Sequence, residues 1–139
     1  MRARTILAVD DDVMILGLIE AVVSSNGGDF IGVKTGEECL AVLNQAGLQP
    51  HGPCMVILDI EMPGLNGIAL LTRIRDDFPN LKSQVAFLTS HKSSTIIEKA
   101  QALGCDGFVL KPIDPNRLCD RLCRQFDSQS EIEIKARSI

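Results

Sequence analysis

Five short apolar runs, each followed by a turn and then a helical pattern, constrain this chain more than any other feature. They lie at residues 6–9, 30–33, 55–58, 85–88 and 108–110, and each reads as a strand buried on both faces, because no alternation leaves one side for water. Between them the period becomes helical. Residues 13–23 put Ile15, Leu18, Ile19 and Val22 on one stripe and leave Val13 and Leu16 off it, either as a docking surface or as ordinary exposed aliphatics. Further helices are predicted over 36–46 and 66–78, then through Ile96, Ile97, Ala100 and Leu103, and through Leu118, Cys119, Leu122, Cys123 and Phe126. Asn26-Gly27-Gly28, Pro79-Asn80 and Gly104 end three of these helices, and Asp12 is placed to cap the first. Such alternation predicts an α/β fold, a doubly wound five-stranded parallel sheet with helices on both faces and right-handed crossovers.

Composition bounds the rest. The 139 residues are 45% hydrophobic, enough for one domain with a real core, and phenylalanine is the only aromatic residue, so that core must be aliphatic. A net charge of -4 without a Lys/Arg cluster argues against direct nucleic-acid binding by this chain. No stretch is long and apolar enough for a membrane span, and the run after Arg2 and Arg4 is too short for a signal-peptide core, so a cytoplasmic location is expected. Five cysteines without paired spacing read as reduced thiols. Cys119 and Cys123 share a helix face, where core packing is favoured over metal binding because no third ligand accompanies them. The main domain is placed at 1–126. Residues 127–139 are a C-terminal tail or the start of a linker, with Glu131 to Ile134 alternating as a strand would.

Polar groups stand at four of the five strand ends: Asp10 and Asp11 after the first, Asp59 after the third, Thr89 after the fourth and Lys111 after the fifth. A parallel sheet brings those ends to one edge, the edge at which open α/β sheets bind ligands. Three carboxylates there repel one another, by on the order of 4 kcal/mol per pair at ~4 Å and an effective dielectric of ~20. Such a cluster calls for a hard divalent cation, and a few carboxylates plus water is how Mg²⁺ is usually held. The loop after Asp59 turns at Pro63-Gly64 and Asn66-Gly67, both turn-forming pairs.

The acidic pair, the segment LDIEMPGLNG around Asp59, the Thr89-Ser90 pair and Leu110-Lys111-Pro112 together resemble a response-regulator receiver domain, over residues 5 to about 126. The resemblance implies a flavodoxin-like sheet of order 2-1-3-4-5 and a phosphorylation-activated switch rather than an enzyme. It implies Asp59 as phosphoacceptor from a histidine kinase, a phosphotransfer protein or a small phosphodonor. Mg²⁺ would be held by Asp10, Asp11, Asp59 and the backbone carbonyl of Glu61; Lys111 and Thr89 would contact the phosphoryl group, with Lys111-Pro112 in the cis form. Thr89 and Phe108 would form the switch, opening on an output face of the fourth helix, fifth strand and fifth helix, for an effector domain, a target protein or a homodimer partner. The family often has tyrosine where Phe108 stands, so a hydroxyl readout is lost here while the steric swing is kept. Glu61 and His91 flank the site, either tuning phosphoryl lifetime or simply solvated.

Two other readings stand beside it. Asp10-Asp11-Asp12-Val13 resembles the start of the D-x-D-x-[TV] pattern of haloacid-dehalogenase-type phosphatases, with Asp10 as nucleophile, although Met14 stands at the [TV] position and that fold needs a further acidic motif and usually a cap. A receiver-like module that binds without being phosphorylated is disfavoured by the complete acceptor set.

Overall fold

The computed structural model describes residues 4–45, 52–90 and 94–137, the last ten by backbone alone. His51 and His91 lie outside the described residues. The elements alternate without exception: β1 (Thr5–Val9), α1 (Val13–Ser25), β2 (Asp29–Val33), α2 (Gly36–Leu43), β3 (Met55–Asp59), α3 (Gly67–Asp77), β4 (Gln84–Thr89), α4 (Ser94–Ala102), β5 (Gly107–Leu110) and α5 (Pro115–Arg137). All strand pairs are parallel and the order is β2-β1-β3-β4-β5, the doubly wound arrangement anticipated above.

The strands are near-continuous apolar runs because both of their faces are covered. Leu7, Val9, Val56, Leu58, Val85 and Phe87 point to one face, against Leu43 of α2, Leu70, Leu71 and Ile74 of α3 and Ala100 of α4. Ile6, Ala8, Met55, Ile57 and Leu88 point to the other, against Leu16, Ile19 and Val23 of α1 and Leu118, Leu122 and Phe126 of α5. Each large aliphatic side chain so buried contributes about 1.5–3 kcal/mol.

Local signals set the helix ends. Asp12 caps α1, its Oδ1 accepting from Met14 N at 2.9 Å, and Asn66 caps α3 through Ala69 N, also at 2.9 Å. Thr35 does the same for α2, accepting from Glu38 N at 3.1 Å. Gly104 follows α4 with φ of 79°.

The structure corrects the helix stripe in one place. Leu16 is buried in the core, whereas Leu18 is only half-buried and Val13 is exposed. Helix α1 packs between the sheet and α5, so its buried strip runs through Leu16, Ile19, Val22 and Val23. Backbone helix also runs through Glu131 to Ile134, whose strand-like alternation is overridden by continuation of α5. Cys119 and Cys123 are half-buried against the end of α1, each thiol donating to Asn26 Oδ1, at 3.4 and 3.2 Å.

Candidate functional site

Each candidate side chain stands where its strand runs out. Asp10 follows β1 and stays tied to the sheet, its N–H donating to Val33 O at 3.1 Å. Asp59 is the last residue of β3 and Thr89 the last of β4. Lys111 follows β5, with its N–H donating to Thr89 O at 2.9 Å, and its peptide bond to Pro112 is cis. Parallel pairing brings these ends to one edge of the sheet, and the order reverses between β1 and β3, the topological position at which doubly wound sheets open a crevice.

The side chains meet there. Asp10, Asp59 and Thr89 are buried, while Asp11 is exposed at the rim. Lys111 Nζ lies 3.2 Å from Asp10 Oδ2 and 3.2 Å from Asp59 Oδ2, bridging the two buried carboxylates. The opposite oxygens are held by backbone: Asp10 Oδ1 accepts from Asp12 N at 2.9 Å and Asp59 Oδ1 from Glu61 N at 3.1 Å. Burial pushes the Asp10 carboxyl up to about 6, and the Asp59 charge adds to that rise against the pull of the Asp12 N–H and Lys111. For Lys111, burial favours the neutral amine, but the Asp59 and Asp10 carboxylates outweigh it and hold the ammonium above its usual range.

The donor set fits a divalent cation. Asp10, Asp11 and Asp59 each offer a carboxylate oxygen, and the three oxygens lie within 4.8 Å of one another. Asp10 Oδ2 is buried, and its partner is the Lys111 ammonium at 3.2 Å. One ammonium leaves three ionised carboxylates short of neutrality, and an all-oxygen set is the chemistry Mg²⁺ prefers.

Two features of the site were not legible beforehand. The Glu61 carboxylate accepts from both hydroxyls after β4, Oε1 from Thr89 Oγ1 at 3.0 Å and Oε2 from Ser90 Oγ at 2.9 Å. The sequence placed Glu61 beside the site without showing that its side chain binds these hydroxyls. Gly67 opens α3 without a left-handed backbone, and its lack of a side chain is required instead by proximity to the Asp59 backbone. Gly64 does adopt the left-handed region, with φ of 76°. Phe108, the other switch candidate, pairs with Phe87 in register and is half-buried, the ring centroids 6.3 Å apart.

Comparison with known proteins agrees with this fold. The family model of the response regulator receiver domain matches residues 6–123. The chain is 30% identical over 125 residues to the two-component response regulator ORR5 of Oryza sativa subsp. japonica, covering 88% of this chain and 90% of that protein. It is 32% identical over 114 residues to the response regulator Rre1 of Synechocystis, covering 82% of this chain but 48% of that longer protein. Among solved structures, the beryllofluoride-activated DrrB receiver domain superposes with a TM-score of 0.74 at 26% identity, covering 91% of this chain and 99% of that one. The Vibrio cholerae chemotaxis protein CheY4 shares the fold, with a TM-score of 0.78 at 24% identity over 88% of this chain and 98% of that one. The chain belongs to the response regulator receiver domain family, whose members are signalling switches of two-component systems.

Proposed function

We propose that this protein is a Mg²⁺-dependent phosphorylation switch in which Asp59 accepts a phosphoryl group from a histidine kinase or a phosphotransfer protein. The observation that carries this reading is Lys111 bridging Asp10 and Asp59 at 3.2 Å each, in a buried pocket with Asp11 at its rim. Phosphoryl transfer asks a protein mainly for positioning and charge stabilisation. Asp59 Oδ1 is fixed by the Glu61 N–H, so the carboxylate is oriented before any donor arrives. Lys111 is charged and near enough to follow charge from the carboxylate to a phosphoryl oxygen, and Thr89 offers a hydroxyl from the neighbouring strand. Asp10, Asp11, Asp59 and the Glu61 carbonyl would hold Mg²⁺, which when bound offsets the negative charge of acceptor and donor.

The switch follows from neighbouring strands. Thr89 and Phe108 lie on β4 and β5, and a Thr89 drawn toward a phosphoryl group vacates space beside a half-buried Phe108 ring. Turning that ring inward changes the surface of α4, β5 and α5, a population shift between two packings. That face, where Leu110 is exposed, would contact an effector domain, a target protein or a second copy in a homodimer. No described helix is long and apolar enough to cross a membrane, and a cytoplasmic setting suits a kinase-fed switch. We place the receiver unit at 1–126, with residues 127–139 as a C-terminal tail or linker.

The phosphatase reading loses support because Asp12, the second acid of its motif, is committed to capping α1 through Met14 N. The test is incubation with acetyl phosphate and Mg²⁺, followed by intact mass. A phosphoryl adduct lost in Asp59→Asn supports the proposal; an adduct that survives Asp59→Asn and disappears in Asp10→Asn supports the phosphatase instead.

A further inference from the structure

The Glu61 side chain is not needed by the mechanism above, yet it is held more specifically than a solvated loop acid. Its two oxygens are taken one each by Thr89 Oγ1 and Ser90 Oγ, at 3.0 and 2.9 Å, across 28 and 29 residues of sequence. Its own N–H donates to Asp59 Oδ1, so the same residue touches the acceptor through its backbone and the switch hydroxyl through its side chain. Hydroxyl-to-carboxylate bonds are charge-assisted and stronger than neutral ones. A planar carboxylate anion therefore already sits on Thr89, the hydroxyl that a phosphoryl group on Asp59 would need, and on its neighbour Ser90.

We infer that the Glu61 carboxylate is an internal placeholder for the phosphoryl group, latching Thr89 and Ser90 in the unphosphorylated state and leaving them when Asp59 is phosphorylated. The inference rests on the phosphoacceptor reading above. It makes Glu61 a positioning residue that sets the threshold of the switch, and it gives Ser90 a role beside Thr89. Two consequences separate it from a passive surface acid. In the resting protein the latch holds Thr89 away from movement toward Asp59, and during phosphorylation the latch opposes the incoming anion by occupying its donors and by like charge.

The experiment compares wild type, Glu61→Gln and Glu61→Ala at saturating Mg²⁺, following acetyl phosphate adduct formation by mass and the Thr89 γ-methyl resonance by NMR before and after. Releasing the latch is expected to speed adduct formation by about tenfold in Glu61→Ala. Glu61→Gln, which keeps shape and one acceptor oxygen, should fall between the two. The Thr89 methyl of unphosphorylated Glu61→Ala should move part of the way toward its phosphorylated position. Wild type that is phosphorylated on Asp59, with unchanged or slower rates in both variants and an unmoved methyl, overturns the latch and leaves the phosphoacceptor reading intact. Wild type that takes no phosphoryl group overturns both.

Discussion

Gly67 and Asp59 are in backbone contact: a β-carbon on Gly67 would lie 2.5 Å from the Asp59 carbonyl oxygen and 2.9 Å from Ile60 Cα. Neither neighbour is the movable end of a side chain. Gly67→Ala must therefore push α3 away from the end of β3, and we expect a loss of about 1–3 kcal/mol in urea unfolding. Acceptor geometry should suffer too, with slower Mg²⁺-dependent phosphorylation. Gly64→Ala is the contrast. That position is open to solvent with φ of 76°, so only backbone strain is expected, about 1 kcal/mol, without an effect on the site.

Lys111 is the only ammonium described in contact with Asp10 and Asp59. In Lys111→Met the two buried carboxylates face each other without it, and because the lysine is partly solvated the expected destabilisation is about 2 kcal/mol in chelator. Adding Mg²⁺ should recover a larger share of stability in the variant than in wild type. Equal Mg²⁺ effects in both proteins would show that the carboxylates are not a shared cation site.

The raised Asp10 carboxyl has a definite pH signature. Its value in the folded protein is about 6, against 3.8 for the ordinary side chain, so folding favours the protonated form. The stabilisation is full below about pH 4 and is lost as pH rises toward and through about 6. In metal-free buffer Asp10→Asn should thus be more stable than wild type at pH 7, by up to about 3 kcal/mol. The gap should narrow as pH falls from 7 to 5. Urea midpoints of both proteins across that range check the sign and the window.

Much of this was legible in the sequence because the signals were local. The apolar runs gave the strands, Asp12 and Gly104 marked helix ends, and polar residues at four strand ends marked one edge of a parallel sheet. Leu16 was misplaced because the sequence stripe does not reveal that α1 is wedged against α5. Asp59 and Thr89 close their strands instead of following them, a one-residue difference set by pairing with β4 and β5. The Glu61 contacts and the closeness of Gly67 to β3 depend on the path of the loop in three dimensions, which no periodicity encodes.

The cysteines divide by burial. Desolvation pushes the Cys39 thiol up to about 12 and the Cys54 thiol up to about 11, so neither supplies thiolate to a reagent in the folded state. Cys105, Cys119 and Cys123 are half-buried. Iodoacetamide at pH 8 should label these three in native protein and reach Cys39 and Cys54 only in urea, as peptide mass mapping would show.

Locating the phosphoryl group chemically tests the phosphoacceptor assignment most directly. Borohydride reduces an aspartyl phosphate to homoserine, so treatment after acetyl phosphate and Mg²⁺ marks the acceptor in a peptide map. Homoserine at position 59 alone, dependent on Mg²⁺, is the expected result. Homoserine at position 10, or none in protein that remains folded, would contradict the assignment of Asp59 as the phosphoacceptor.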